Sequence, residues 1–169
     1  IISVCNALKD KMVELGAPET KISVIPNGID TDRFDLIDKE KARKELGLSC
    51  SDKIVFSVGR LIPLKGHHVV IDAMAQILEK IPQARFYIAG KGDYENQLVQ
   101  QINENGLAKK IKLLGHIPNA VLKKWYSAAD IFCLASSREG WANVIMESMA
   151  CGTPVVATNV WGAPEVITD

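Results

Sequence analysis

The chain has 169 residues, of which 47% are hydrophobic, and its 20 basic residues balance its 20 acidic ones. This balance argues against a broad nucleic-acid-binding surface, because such surfaces depend on Lys and Arg contacts to phosphate. The four cysteines lie far apart without a CxxC pair, which indicates neither a zinc site nor a disulfide framework. No apolar run approaches the ~20 residues of a membrane span, and the opening IISVCNALKD lacks the basic start and long apolar core of a signal peptide. We therefore expect a reduced, cytoplasmic protein.

The first thirty residues predict a βαβ unit of their own. IISV predicts a strand, the following segment up to Leu15 and Gly16 predicts a helix, and KISVIPNG predicts a second strand that ends in a Pro-Asn-Gly turn. Residues 38–45 mix charges of both signs, which favours the solvated face of a short helix over a surface for a partner.

Short apolar runs then alternate with helical patterns along the rest of the chain. Each run is typical of a buried strand in a parallel sheet, and the intervening apolar residues at helical spacing predict helices. The predicted strands are residues 54–58, 85–89, 111–114, 131–135 and 155–157. This alternation predicts an α/β fold, a Rossmann-like doubly wound parallel sheet, in which ligands bind beyond the carboxyl ends of the strands.

Arg60 and Lys65 lie in the loop SVGRLIPLKG, between the strand at 54–58 and the helix that follows Gly66. Arginine offers a planar fork of donors and lysine a compact charge, so both side chains could reach one diphosphate. The alternative is that they are two solvated basic residues of an ordinary loop. Sequence spacing alone does not decide between these interpretations.

Two further strand ends carry weaker signals. IAGKGDYENQL has Glu95 where a dinucleotide-binding GxGxxG pattern requires its third glycine, so we reject a nicotinamide site and expect Asp93 to cap the next helix. LLGHIPN places Ile117 where an apolar side chain and backbone groups could hold a base. His116 in the same segment is more typical of a loop histidine than of a metal ligand or general base.

Two aspartates, Asp30 and Asp32, resemble the DxD pair with which one class of sugar transferases holds a divalent metal. They follow a Pro-Asn-Gly turn rather than a strand end near other carboxylates, so we favour local hydrogen bonding in a turn. Asp130, which directly precedes a predicted strand, is also interpreted as structural. No metal site is predicted.

Glu139 and Glu147 are separated by seven residues in EGWANVIME and flank the start of a predicted helix. Gly140 allows backbone to approach a bound group closely, and helical spacing runs from Asn143 to a stop at Gly152. The first amides of a helix have no intrahelical partner and favour a phosphate, while carboxylates favour sugar hydroxyls. The combination predicts a nucleotide-sugar site.

Taken together, these segments resemble family 4 of the retaining glycosyltransferases, which have the two-domain GT-B fold. VIPNGID, SVGRLIPLKG, IAGKG, LLGHIP, AADIFCLASSREGWANVIMESMACGTPVVAT and GAPEVI occur in family order and cover nearly the whole chain. The resemblance implies that residues 1–30 are the tail of the N-terminal acceptor domain and 31–52 a linker with a short helix. Residues 53–169 would be the C-terminal donor-binding domain, truncated at its end, where a loop at GAPEVITD should be followed by further helix and strand.

The resemblance also implies roles for residues of this chain that match the family's site motifs. Arg60 and Lys65 would bind the donor diphosphate, and Glu139 would face the donor sugar as the catalytic residue. Glu147 would hydrogen-bond the ribose, with the remaining donor-binding positions at Gly59, Ile117, Asn143 and Val144. The chain departs from the family pattern at Trp141, Ala142 and Ser148, and Trp141 could alter the shape of the sugar pocket.

The function implied by the resemblance is a hexosyltransferase that uses a UDP- or GDP-sugar for glycan, glycolipid or polysaccharide synthesis without a metal or other cofactor. A glycan, lipid or small-molecule acceptor would bind mainly through the missing N-terminal domain, which could also contact the cytoplasmic face of a membrane. The fragment alone would then be inactive. Two alternatives remain open, a nucleotide-sugar epimerase of the same fold and a non-catalytic nucleotide-sugar-binding module.

Overall fold

A computed structural model of the chain describes residues 1–167. Its helices and strands alternate along the chain as follows: β1 (Ile2–Ser3), α1 (Asn6–Glu14), β2 (Ser23–Val24), α2 (Lys39–Glu45), β3 (Lys53–Val58), α3 (His67–Lys80), β4 (Ala84–Ala89), α4 (Glu95–Glu104), β5 (Ile111–Gly115), α5 (Asn119–Ala128), β6 (Ile131–Leu134), α6 (Asn143–Ala150), β7 (Val155–Ala157) and α7 (Ala163–Val166). Short 3₁₀ turns occupy Glu19–Lys21 and Pro63–Lys65.

The main sheet has five parallel strands in the order β5-β4-β3-β6-β7. All five strands predicted from apolar runs are present, and the strand order reverses at β3, as in a doubly wound sheet. A second, two-stranded parallel sheet pairs β1 with β2 around α1, which confirms the predicted N-terminal βαβ unit.

Two hydrophobic clusters cover the two faces of the main sheet. Alternate residues of a strand point to opposite faces, so Ile54 and Phe56 face one cluster while Phe86 and Ile88 of the neighbouring strand face the other. Helices α5 and α6 complete the first cluster, and α3 and α4 complete the second. Because these clusters pack against both faces of the sheet, the strand ends from which the loops at its carboxyl edge begin are held in place.

The charged segment 38–45 forms α2 as predicted, but Arg43 is buried rather than solvated. Its guanidinium donates hydrogen bonds to the carbonyls of Ala128 and Cys50 and to the carboxylate of Asp130 (2.7 Å). Asp130 also accepts from Lys39 and from the Ile54 amide. Partial burial acts to raise the pKa of Asp130, but these donors outweigh it and hold the pKa below its ordinary value. The structural interpretation of Asp130 is confirmed.

Two local predictions have different outcomes. Asp30 accepts hydrogen bonds from the amides of Asp32 and Arg33 at 3.1 Å, which confirms the turn interpretation. The expected capping role of Asp93 is wrong, because Tyr94 precedes α4 and no side chain caps it. The Tyr94 amide donates instead to the carbonyl of Leu61, so a backbone contact fixes this turn.

The segment GAPEVI, expected to be a loop, contains the short helix α7. Glu165 of α7 accepts hydrogen bonds at the start of α1, from the amides of Asn6 and Ala7 (both 2.9 Å) and from the Asn6 side chain (2.8 Å). Cys5, the N-cap residue of α1, supplies no side-chain cap, so Glu165 performs this role across the structure. Among the helices formed by residues 1–167, none combines the length and the hydrophobicity that a membrane span requires.

Replacing Glu165 with alanine should loosen α1. Loss of a capping side chain costs about 1 kcal/mol, so we expect a decrease of this size in the free energy of unfolding, with faster hydrogen exchange at Asn6 and Ala7.

Partial burial acts to raise the pKa of Glu165, but the α1 donors lower it overall. Its contribution should therefore be present above about pH 4.3 and be lost as the pH falls through the lowered folded-state pKa. Glu19→Ala, which removes only an exposed ion pair with Lys9, is the control. Unchanged exchange at α1 in Glu165→Ala would contradict the capping role.

Candidate functional site

The loops that follow β3, β4, β5 and β6 meet at the carboxyl edge of the main sheet. A pocket of about 320 Å³ opens there between the first three of these loops and the start of α5. It is lined by Val58, Gly59, Arg60, Ala89, Gly90, Lys91, His116, Ile117, Asn119 and Leu122. The pocket therefore lies where an open parallel sheet usually binds its ligand.

The loop after β3 is held against the loop after β6 by backbone contacts. The Ser137 amide donates to the carbonyl of Leu64 at 2.9 Å. Gly66 adopts a left-handed conformation (φ 68°), and a Cβ at this position would collide with the carbonyl oxygen of Ala135. Only glycine combines this conformation with so close an approach. Lys65, the neighbour of Gly66, is consequently carried to the β6 side of the site.

Lys65 and Glu139 form an ion pair in which Nζ lies 2.6 Å from Oε2. The side chains are 19% and 13% exposed, so both are largely shielded from water but remain accessible to a ligand. Because ion pairs are screened less when water is excluded, this one is more strongly coupled than a surface pair. The structure thus brings together two residues that the sequence assigned to one site.

A second group of predicted site residues lies around the pocket and consists of Gly59, Arg60 and Ile117. Arg60 is exposed at its rim, and Ile117 is half-buried. Gly59 connects this group to the ion pair, since a Cβ at Gly59 would lie 3.7 Å from Cγ of Lys65. The predicted diphosphate-binding residues Arg60 and Lys65 therefore flank Gly59.

His67 is the first residue of α3 and is buried beneath the same loop. Burial lowers its pKa to about 4, so the ring is neutral at physiological pH. Ser57 Oγ lies 3.3 Å from its Nδ1. His67 therefore supports the loop without adding charge to the site. His116 is exposed at the pocket rim, in agreement with its interpretation as a loop histidine.

Helix α6 begins at Asn143, as predicted, and Ala142 at its N-cap provides no side-chain acceptor for the first amides. Asn143 is exposed and Val144 is half-buried. The side chain of Asn143 accepts a hydrogen bond from Asn27 of the N-terminal segment (3.1 Å). The amide-rich start of α6 is thus available for an anionic group, and the N-terminal segment lies next to it.

Glu147 lies within α6 and has a different partner from Glu139. It accepts a hydrogen bond at 2.7 Å from the hydroxyl of Tyr126, a residue of α5. The two glutamates therefore have separate environments, one paired with a cation and the other with a buried phenol.

Several residues of this edge were missed by the sequence reasoning. Lys91 and Asn119 line the pocket, and Lys91 could have been found because it follows β4 as Arg60 follows β3.

Within residues 1–167, Ser136 Oγ and Trp141 Nε1 are buried without a hydrogen-bond partner. Unpaired buried polar groups are rare, and these two lie on either side of Glu139 in the chain, while His67 Nε2 and His68 Nδ1 are also unpaired in the described residues. No comparable signal in the sequence pointed to Tyr126.

A metal site is not evident in the described residues. No group of three or more His, Cys, Asp and Glu side chains between residues 1 and 167 is arranged to hold an ion.

Comparison with known proteins identifies the family. The model of glycosyl transferases group 1 matches residues 38–169, and that of Glycosyltransferase Family 4 matches residues 1–33. The chain belongs to the glycosyl transferases group 1 family.

Among its relatives, an uncharacterized glycosyltransferase of Methanocaldococcus jannaschii is 36% identical over 99% of this chain and 44% of its own length. A D-inositol 3-phosphate glycosyltransferase of Segniliparus rotundus is 37% identical over 90% of this chain and 35% of its own length. The chain thus spans less than half the length of these relatives.

Solved structures show the same architecture. Anabaena HepE in complex with UDP and glucose superimposes with a TM-score of 0.90 at 32% identity, over 99% of this chain and 46% of that one. The C-terminal domain of the group 1 protein LpcC from Francisella tularensis gives 0.72 at 28% identity, over 84% and 76%. The expected fold class is confirmed: the α/β sheet matches GT-B glycosyltransferases.

Proposed function

We propose that this chain is the nucleotide-sugar-binding part of a retaining family 4 glycosyltransferase that uses a UDP- or GDP-sugar. The observation that carries the proposal is the Lys65–Glu139 ion pair (2.6 Å) at the carboxyl edge of the sheet. This ion pair places a cation that can bind phosphate next to a carboxylate that can bind sugar hydroxyls. The complex of the related Anabaena protein with UDP and glucose is consistent with this chemistry.

In the proposed reaction, the bond between the anomeric carbon and the nucleoside diphosphate breaks, and negative charge grows on the phosphate oxygens. Arg60, Lys65 and the amides of Asn143 and Val144 stabilise this charge and so speed departure. Preorganised donors of this kind typically contribute ~3 to 4 kcal/mol each to lowering a barrier. We propose that protein groups alone provide this stabilisation and that no metal takes part.

Glu139 orients the donor sugar in this proposal. Its Oε2 is occupied by Lys65, so the charge of the carboxylate is partly neutralised and Oε1 remains for a sugar hydroxyl. A carboxylate tied to a cation is better suited to orientation than to nucleophilic attack. We therefore propose that the acceptor attacks from the face the leaving group vacates, with retention of configuration and without a covalent intermediate on Glu139.

The nucleoside binds in the adjoining pocket. Gly59 permits close approach at the end of β3, and Ile117 provides an apolar surface for the base. Glu147, on the α6 side, accepts hydrogen bonds from the ribose hydroxyls. The donor then extends from the pocket past Arg60 and Lys65 to Glu139.

The acceptor is a glycan, a lipid or a small molecule bound mainly by the N-terminal half of the full-length protein. Residues 1–30 belong to that half, 31–52 form the linker, and 53–169 belong to the donor-binding domain. We propose that the full-length protein is a cytoplasmic hexosyltransferase, peripheral at the membrane where its acceptor is a lipid, and that this chain alone does not transfer sugar.

The binding proposal is tested by calorimetric titration of UDP and GDP into the full-length protein. Arg60→Ala and Lys65→Ala should each weaken binding of the preferred nucleotide by about tenfold or more, because each removes a charge-assisted bond to phosphate. Lys109→Ala removes a similar charge at the opposite, amino-end edge of the sheet and should leave the affinity unchanged. The phosphate assignment is wrong if neither nucleotide binds at millimolar concentration, or if all three variants match the parent.

The role of Glu139 is tested by separating turnover from binding. Glu139→Gln keeps the shape of the side chain but removes its charge, so kcat should fall by on the order of 100-fold while nucleotide affinity changes only a few-fold. Transfer is measured by a screen of nucleotide sugars with the full-length protein, and Glu79→Gln, an exposed residue of α3, is the control. Equal turnover in Glu139→Gln and parent would remove Glu139 from the catalytic step.

A further inference from the structure

We infer that Tyr126 is a positioning residue that makes the site selective for ribonucleotides, by holding the Glu147 carboxylate toward the ribose hydroxyls. This inference rests on the proposed function, which places the ribose at Glu147. Tyr126 does not itself contact the donor. It acts through the 2.7 Å hydrogen bond from its hydroxyl to Oε2 of Glu147.

The ring of Tyr126 is tightly packed. It is fully buried and makes edge-to-face contacts with Phe34 (centroids 6.2 Å apart), Phe56 (5.5 Å) and Phe132 (5.4 Å). These three rings come from the segment before α2, from β3 and from β6. A ring packed on three sides holds its hydroxyl in place, and the hydroxyl in turn positions its acceptor.

The backbone around Tyr126 is tied to α6 by a second, buried chain of hydrogen bonds. Thr153 Oγ1 donates to the carbonyl of Tyr126 at 2.6 Å, and Ser148 Oγ donates to the carbonyl of Thr153 at 3.2 Å. Ser148, the neighbour of Glu147, and Thr153 are both buried. Helices α5 and α6 therefore cannot shift relative to one another without breaking this chain, so the distance from phenol to carboxylate is set by the fold.

The phenol remains a donor at every physiological pH. Burial, together with the neighbouring Glu147 carboxylate, raises the pKa of Tyr126 well above its ordinary value. Glu147 itself is half-buried, and its Oε1 accepts no hydrogen bond from the described residues. With Oε2 held by Tyr126, the carboxylate is fixed in one orientation and Oε1 stays available to a ligand hydroxyl. Preorganisation of this kind strengthens a bond by avoiding the cost of ordering a flexible side chain.

The test measures selectivity between ribose and deoxyribose in the full-length protein. UDP or GDP, whichever binds more tightly, is titrated beside its 2′-deoxy and 3′-deoxy forms, and the ratio of affinities is taken. The parent should prefer the ribonucleotide over one of the deoxy forms by about tenfold or more, as expected for a hydroxyl bound to a charged group. Tyr126→Phe should reduce this ratio by about threefold or more. The ratio does not depend on how much of a variant is folded, because all nucleotides probe the same active fraction.

Two variants make the result decisive. Tyr87→Phe removes a hydroxyl from a half-buried ring beside Trp125, away from Glu147, and should keep the parental ratio. Glu147→Ala should bring the ratio close to one. If Glu147→Ala keeps the parental ratio, Glu147 does not bind the ribose hydroxyls, and both this part of the proposed function and the role of Tyr126 are wrong. If Glu147→Ala abolishes selectivity while Tyr126→Phe behaves like Tyr87→Phe, the positioning role alone is wrong.

Discussion

The contact between the loop after β3 and the loop after β6 is the constraint on which the rest of the site depends. Gly66 lies against the carbonyl of Ala135, and the Ser137 amide binds the carbonyl of Leu64, so the two loops form one surface. In this arrangement Lys65 reaches Glu139, with Nζ 2.6 Å from Oε2. When a cation and a carboxylate are held together at a sheet edge, the cation can bind the phosphate and the carboxylate can bind the hydroxyls of the attached sugar. The proposed chemistry therefore begins with a backbone contact rather than with the charged residues themselves.

The main sheet could be predicted because its signals are local. Each buried strand is a short apolar run, and the amphipathic spacing of α3, α4 and α5 is visible within a single segment. The start of α6 at Asn143 and the turn at Asp30 were predictable for the same reason. The proximity of Lys65 and Glu139, which lie 2.6 Å apart, also followed, since carboxyl ends of parallel strands share an edge.

What the sequence could not predict depends on residues far apart in the chain. Arg43 is 87 positions from its partner Asp130, and nothing in the charged segment around it distinguishes a buried arginine from its solvated neighbours. Glu165 caps α1 across 158 positions. Tyr126 belongs to an ordinary amphipathic pattern, and only the packing of α5 against α6 gives its hydroxyl a partner. Asp93 failed as a cap because a backbone contact to Leu61 already fixed the turn.

We propose that Arg60, Lys65 and the start of α6 surround the donor diphosphate, with Glu139 on the side of the sugar. A crystal structure of the full-length protein with UDP or GDP tests it most directly. Phosphate oxygens should lie within about 3 Å of Lys65 Nζ and of the Arg60 guanidinium, at the amides of Asn143 and Val144. A nucleotide whose diphosphate lies away from these four residues would contradict it.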